Sequence, residues 1–273
     1  DTLLAMNRRS QISSLPIHTL YFIGAWIFVS IRFAKRLQLL DERSNDFLKT
    51  LVLLGGYCTI EQAQKLGLAN SPTRVVARLA ALKQSGFLKQ IARYPVIHQV
   101  TGSATRLVGS DLMARRKRTP LTIRCKLLGV NFFLEAKAWP AEFILDHAKK
   151  IALLNSAGCP TEALPQVGGR PYLWQEFVLR RSDGMICVAA VDRGHDTAKY
   201  QTRTLAQRYA GVLEHLPSRF RLIVAVAANR RAELYWKWAG QPIASPFTHD
   251  TLEPYQVKAL IPQVQISHEE KMG

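Results

Sequence analysis

The sequence predicts an α+β fold in two parts, a helical part that ends in a β-hairpin and a following α/β part. Between residues 44 and 100, apolar-periodic segments with helix caps precede a stretch rich in β-branched and aromatic residues. After residue 170, extended segments alternate with helical ones. The chain has 273 residues, of which 48% are hydrophobic. This length and composition are sufficient for two hydrophobic cores.

The first helix is predicted in DERSNDFLKTLVLLGGY, residues 41–57. Asn45 or Asp46 is the predicted N-cap, and the two glycines at 55 and 56 are the predicted stop. Its apolar residues recur at helical spacing: Phe47, Leu48, Leu51, Val52 and Leu54. A second, shorter helix is predicted after the Thr59 cap, and it ends at Gly67.

The third helix is predicted to begin with Ser71 as its cap and Pro72 at its first position. Gly86 ends it, and FLKQIARYPVIHQVT then predicts a hairpin with Pro95 near the bend. The predicted buried stripe of the helix is Val75, Val76, Leu79 and Leu82. Helix, short helix, longer helix and hairpin is the order of a winged helix, in which the third helix enters the DNA major groove.

The charge balance favours a polyanionic partner. The formal net charge is +17 and the pI is about 10.1, and such a surplus is usually tolerated when a polyanion neutralises it. Nucleic acid is therefore the first candidate and an anionic membrane surface the second. In the winged helix, the predicted DNA-contacting residues are Thr73, Arg74, Arg78, Lys83, Lys89 and Arg93. Protein docking remains the alternative, because winged helices also serve that purpose.

A basic run, ARRKRTP at residues 114–120, separates the two parts. It is predicted to be an arm that follows phosphates through Arg115, Arg116, Lys117 and Arg118. A solvated charge run is the alternative. The predicted organisation is an apolar and basic extension (1–43), a winged helix (44–110), a basic linker (111–125), an α/β domain (126–245) and a C-terminal tail (246–273).

The α/β part begins with a segment of largely helical and mixed character, residues 121–158. Alternation over 171–180 predicts a strand, Ser182-Asp183-Gly184 a tight turn, and residues 185–191 a buried strand. A capped helix follows, and its Arg203 and Arg208 join the predicted DNA-binding set. RFRLIVAVAA is a continuous apolar run, typical of a buried parallel strand, and NRRAELYWKWAG predicts a closing helix.

The chain lacks most motifs of phosphodiester or nucleotide chemistry. The four cysteines form no CxxC, the seven histidines form no HxH pair, and no GxxxxGK[ST], GxSxG or HExxH is present. The remaining route is Mg²⁺ or Mn²⁺ held by carboxylates. Asp192 is the strongest candidate, because it follows a buried strand where open α/β sheets place their sites. Glu176 and Asp183 are weaker, and Asp192 paired with Arg193 or Arg231 is the alternative.

The winged helix followed by RPYLW…AAVDRGHDTAKYQTRTLAQRYAG…LIVAVAANRRAELY resembles the plasmid replication-relaxation family and the MOBC-class mobilisation relaxases over about residues 44–240. The resemblance implies a restriction-endonuclease-like core of the PD-(D/E)xK type that nicks plasmid DNA at a transfer origin with a divalent metal. It implies Asp192 as a catalytic residue and offers Lys199 for the lysine of the motif. With the carboxylates that the residues themselves suggest, the predicted catalytic set is Asp192, Glu176 and Lys199, and the predicted metal ligands are Asp192 and Asp183.

The sequence departs from the family pattern at two of its acidic positions. Tyr172 follows Pro171 where the family has Pro-Asp, and Ala190 stands two residues before Asp192 where the family has an acidic residue. A nuclease core of this kind is either degenerate or completed by Glu142, Glu162 or Glu176. Only Asp192 matches the pattern.

Two functions from different classes follow. The first is a relaxase-like plasmid mobilisation protein that nicks origin DNA, with an accessory mobilisation or coupling protein as a further partner. The second is a non-catalytic DNA-binding accessory factor or regulator of replication or transcription. Residues 20–31 form an uncharged apolar run, shorter than the ~20 residues of a spanning helix, and raise a third hypothesis, a membrane-tethered adaptor. The four scattered cysteines do not indicate a disulfide framework, and this favours a reducing, cytoplasmic location.

Overall fold

The computed structural model describes residues 40–110, 114, 118–244 and 246–264. From Glu42 onward the chain forms one compact unit of mixed α and β structure. The apolar run at 20–31 and the basic residues Arg115, Arg116 and Lys117 lie outside the described residues. Among the residues that are described, no helix has the length and apolar character needed to cross a membrane.

Three helices open the unit: α1 (Glu42–Leu53), α2 (Ile60–Lys65) and α3 (Pro72–Gln84). Helix α1 begins at Glu42, so the predicted cap at Asn45 or Asp46 was wrong, and both residues lie within its first turns. The other two caps are confirmed. The Thr59 side chain accepts from Gln62 N in a reciprocal capping box, and the Ser71 side chain accepts from Arg74 N.

A three-stranded antiparallel sheet packs beside these helices. It contains β1 (Tyr57–Thr59), β2 (Leu88–Arg93) and β3 (Val96–Val100) in the order β1-β3-β2. The predicted hairpin is β2–β3, and the peptide bond between Tyr94 and Pro95 at its bend is cis. Strand β1 was not predicted, because three residues are too few for a periodicity signal. A short helix, α4 (Gly102–Thr105), follows the hairpin.

The long helix α5 (Pro120–Ala136) joins the two sheets. It begins after its Thr119 cap, inside the stretch predicted as a basic linker. Its first half packs on the three-stranded sheet, where Ile123 and Leu127 meet Tyr57. Its second half packs on the larger sheet through Phe132 and Phe133. One helix therefore supplies apolar surface to both cores. Because it is buried on more than one side, its sequence lacks the clear apolar stripe of a surface helix.

The larger sheet has five strands in the order β10-β9-β8-β7-β4. Strands β4 (Ala141–Ile144), β7 (Phe177–Arg181) and β8 (Ile186–Val191) are antiparallel neighbours. Strands β9 (Phe220–Val226) and β10 (Leu252–Gln256) continue the sheet in parallel with β8. The predicted buried parallel strand is thus confirmed at β9.

The remaining elements cover this sheet or connect its strands. They are α6 (His147–Ser156), the two-residue strands β5 (Gln166–Val167) and β6 (Arg170–Pro171), α7 (Ala198–His215) and α8 (Asn229–Trp238). The sequence did not predict β4, which lies in a segment interpreted as largely helical, or β10, which lies in the predicted tail. Both are edge strands, where a one-sided contact weakens the apolar pattern.

Candidate functional site

Helix α3 turns one face to the solvent. Its buried residues are Val75, Leu79 and Leu82, as predicted. Val76 was predicted to join them, but it is 49% exposed. The reason is helical geometry: one residue beyond Val75 lies about 100° around the helix, outside the buried stripe. The exposed face therefore carries an aliphatic side chain beside the polar and basic ones.

Three of the predicted DNA-contacting residues of α3 lie on the exposed part of the helix. Thr73, Arg74 and Lys83 are exposed. Arg78 is different, because it is half-buried and its guanidinium donates to the Leu68 carbonyl at 3.2 Å. That hydrogen bond ties α3 to the end of the preceding α2 segment. The prediction that Arg78 points outward like Arg74 is corrected accordingly.

The hairpin adds exposed residues near its bend. Arg93 ends β2 and is exposed, while Lys89 earlier in the same strand is half-buried. Tyr94, at the bend, is 84% exposed. The structure thus places an aromatic ring and a guanidinium together at the tip that a winged helix would present to DNA.

A cavity of about 930 Å³ lies between the three-stranded part and the end of the larger sheet. The end of α1 and strand β1 form one wall, and α5 forms the floor. The opposite wall contains the segment 172–176, the carboxyl end of β8 and the first turns of α7. Two predicted site residues, Glu176 and Asp192, both line it.

Asp192 follows β8 directly and is only 7% exposed. Arg231, in the first turn of α8, binds both carboxylate oxygens: Nε lies 2.6 Å from Oδ2 and Nη2 lies 3.0 Å from Oδ1. The Tyr235 hydroxyl donates to Oδ1 at 3.0 Å, and Gly194 N donates to the same oxygen at 3.2 Å. The structure therefore confirms the alternative prediction for Asp192, an ion pair with Arg231.

The environment of the ion pair raises the pKa of two groups that donate to Asp192. Burial, reinforced by the Asp192 carboxylate, raises the pKa of the Tyr235 phenol well above its usual range. The hydrogen bonds to Asp192 raise the pKa of Arg231. The parallel pairing of β8 with β9 explains the contact, because α8 begins just after β9 at the same edge of the sheet. Both groups hold one protonation state, so the cluster is a fixed structural pair.

Glu176 is 5% exposed and lies one residue before β7. Its Oε1 pairs with Arg208 Nη2 at 2.7 Å, and a second bond from Nη2 reaches the Tyr172 carbonyl at 3.3 Å. Arg208, predicted to contact DNA, is thus part of the cavity wall. Oε2 of Glu176 and the hydroxyl of Tyr209 are buried, and neither has a hydrogen-bond partner among the residues that the structure describes. They are near neighbours, since burial and then the Glu176 charge raise the pKa of Tyr209.

A buried lysine holds the segment that carries Glu176. Lys150, on α6, is 2% exposed and donates to the Glu176 carbonyl at 2.7 Å and to the Leu173 carbonyl at 3.0 Å. Burial lowers its pKa to about 8, although Glu176 and Asp146 oppose the shift. The sequence did not indicate this role, because a lysine in an amphipathic helix is usually solvated. Arg231 was predicted only as one of two alternative partners of Asp192, and Tyr235 was not predicted, since its partner lies about forty residues away.

Two other predicted site residues lie elsewhere. Asp183 is in the β7–β8 turn, where it accepts from Met185 N at 2.9 Å and pairs loosely with Arg181. Strand β8 separates it from Asp192, about 20 Å at the usual rise per residue, so the two cannot share one metal ion. Lys199 lies outside the cavity lining, and its ammonium is 5.2 Å from the centre of the Trp238 ring.

The remaining predictions on the site concern Arg203 and the metal. Arg203 is exposed on α7, which is compatible with contact to a partner but does not test it. Within the described ranges, no group of three or more His, Cys, Asp or Glu residues is arranged to hold a metal ion. The Mg²⁺ or Mn²⁺ site stays a prediction.

Comparisons with protein-family models, with curated proteins and with solved structures find no match.

Proposed function

We propose that the protein binds double-stranded DNA through α3 and the β2–β3 hairpin, and that its α/β part is a nuclease-like core with a non-catalytic role. The order α1-β1-α2-α3-β2-β3, with sheet order β1-β3-β2, supports a winged helix. The observation that carries the proposal is the exposed face of α3, which bears Thr73 and Arg74 in a chain of net charge +17.

The non-catalytic role is supported by the state of Asp192. A carboxylate that holds Mg²⁺ needs an oxygen free to bind it, whereas Asp192 accepts four hydrogen bonds from Arg231, Tyr235 and Gly194. The two acidic positions that the resemblance expects nearby are Tyr172 and Ala190. The same core then serves as a platform for DNA or for an accessory mobilisation or coupling protein at an origin of transfer.

DNA binding is tested with a matched pair of arginine variants. Arg74→Ala is compared with Arg170→Ala, which removes the same charge from an exposed site on β6. Fluorescence anisotropy with a labelled duplex, at several salt concentrations, measures affinity and its salt slope. If Arg74 neutralises one phosphate, the slope falls by about one. If it contacts a guanine edge, about 1–3 kcal/mol is lost on a selected site alone.

An equal effect of the two arginine variants would contradict a dedicated role for α3. It would show that only the total charge matters.

Nicking of origin DNA, the relaxase-like function, is the second proposal, supported by Glu176 and Asp192 lining one cavity. A supercoiled plasmid is incubated with protein and Mg²⁺ or Mn²⁺, and the open-circular form is measured. Nicking by the wild type that is abolished in Asp192→Asn would establish the catalytic role. We expect no metal-dependent nicking above the background of the metal alone, because Arg231 binds both carboxylate oxygens of Asp192.

A further inference from the structure

The cavity beside Asp192 has the size of a small-ligand site. Its volume of about 930 Å³ lies within the range of roughly 300–1,000 Å³ typical of ligand pockets. Its walls come from both sheets and from α5, as described above. A ligand there would contact Gly55 and Tyr57 on one side and the 172–176 segment on the other.

Two of the three carboxylates that line the cavity are paired with arginines. Glu176 pairs with Arg208, and Asp192 pairs with Arg231. Asp196 lies beside His195, whose Nε2 is 3.2 Å from its Oδ2. The lining contains four lysine and arginine side chains, which outnumber the three carboxylates.

Three cations line the same space without an ion pair to any residue in the described part of the chain: Arg118, Lys126 and Arg193. Arg118 contacts the Tyr57 hydroxyl. Arg193 makes only a long contact of 3.5 Å to the Gln175 side chain. Lys126 lies across Gly55, so closely that a Cβ there would fall 2.7 Å from its Cδ.

The three cations line the same cavity. Burial lowers the pKa of Lys126, Glu176 opposes the shift, and the charges of Arg118 and Arg193 lower the pKa further. An ammonium that is partly desolvated in a space lined by other cations is costly unless an anion joins it. A phosphate group, which Arg and Lys bind by charge-assisted hydrogen bonds, would remove that cost.

Aromatic rings line the cavity beside the cations. Trp174 is half-buried and stacks on His147 with 4.3 Å between ring centroids and 3° between planes, which orients its ring. Tyr172 is half-buried and Tyr200 is 59% exposed. Rings next to basic side chains are the combination with which proteins hold a base and its phosphate.

We propose that this cavity binds a nucleotide, with the phosphate held by Arg118, Lys126 and Arg193 and the base stacked on the Trp174 or Tyr200 side. The phosphate ester is the shared chemistry of a free nucleoside phosphate and of a phosphorylated single-strand end. The inference is independent of duplex binding by α3, because none of the α3 residues lines the cavity.

Isothermal titration of the full chain tests the proposal with dAMP, dADP, pyrophosphate and a 5′-phosphorylated single-stranded trinucleotide. Arg193→Ala and Lys126→Met each remove one proposed phosphate contact. Arg219→Ala is the matched control, an exposed arginine before β9 at the opposite end of the sheet. We expect saturable binding that weakens about tenfold or more in each cavity variant and is unchanged in the control.

Each outcome of the titration is decisive. Binding of dAMP or dADP identifies a free nucleotide as the ligand, and binding of the trinucleotide alone identifies a strand end. Because Lys126 packs on Gly55, the fold of Lys126→Met is checked by circular dichroism. If Lys126→Met misfolds, the result with Arg193→Ala, at an exposed position, tests the proposal. No saturable binding by any ligand, or equal losses in Arg193→Ala and Arg219→Ala, would overturn the proposal. Loss of duplex affinity in Arg74→Ala would leave it untouched.

Discussion

Replacing Arg231 by methionine tests whether Asp192 is a structural anchor. The Asp192 side chain is 3% exposed and that of Arg231 is 19% exposed, so the pair is largely shielded from water. Methionine retains much of the side-chain length but leaves the carboxylate with only the Tyr235 hydroxyl and the Gly194 amide as donors. The variant removes the two guanidinium bonds to the carboxylate together with the bond from Arg231 Nη2 to the Asp196 carbonyl, and comparison with Asp192→Asn separates the two contributions.

The expected cost follows from the geometry. Removing one partner of a buried ion pair costs about 3–5 kcal/mol, because the other charge stays buried and uncompensated. The Tyr235 hydroxyl and the Gly194 amide still donate hydrogen bonds to Asp192, and the side chain of Arg231 is partly exposed. We therefore expect a loss of about 3 kcal/mol, at the lower end of the range.

Urea unfolding, followed by circular dichroism, measures this loss for Arg231→Met, Asp192→Asn and the double variant. In the double variant no charge is buried alone, so its loss should be less than the sum of the single losses by about 2 kcal/mol. Asp192→Asn alone should cost less than Arg231→Met, because the exposed edge of Arg231 can turn to water.

A loss below about 1 kcal/mol for Arg231→Met, or strictly additive losses, would refute the structural assignment. Asp192 would then be available for other chemistry, and the nicking proposal would gain support.

Three further predictions concern other parts of the chain. Because burial lowers the pKa of Lys150 to about 8, the unfolded chain holds a proton that the folded chain has lost between about pH 8 and pH 10, so the free energy of unfolding should rise with pH. Urea unfolding of Lys150→Met should lack that rise; an identical pH profile would contradict the assignment. Gly211→Ala, whose Cβ would lie 2.9 Å from the Ala163 carbonyl oxygen, should lower the stability by about 1–2 kcal/mol in thermal unfolding, whereas a gain would mean that helix propensity dominates. Thr59→Ala should cost about 1 kcal/mol by removing the capping box, and Thr59→Ser, which keeps the hydroxyl, should not.

Local signals explain why much of the fold could be predicted. Ser71 and Pro72 start α3, the apolar run of β9 marks a buried parallel strand, and Thr59 caps α2. Each signal is contained in a few consecutive residues. The prediction failed at β4 and β10, whose identity as strands depends on pairing with β7 and β9.

The candidate site was predicted only in part, for the same reason. Glu176 and Asp192 were found because each stands next to a strand. Lys126 and Lys150 were not, since each acquires its role from residues distant in the chain. Arg231 was predicted only as an alternative to Arg193 as the partner of Asp192.

The sequence by itself determined the α+β composition, the caps of α2 and α3, the excess of positive charge and the position of Asp192 after a buried strand. Propensity, capping and net charge are properties of neighbouring residues or of simple sums. Only the tertiary structure decided that Arg231 neutralises Asp192 and that Arg118, Lys126 and Arg193 line one cavity. Electrostatic partners are set by distances of a few Å and by desolvation, and both arise only when separate elements pack together.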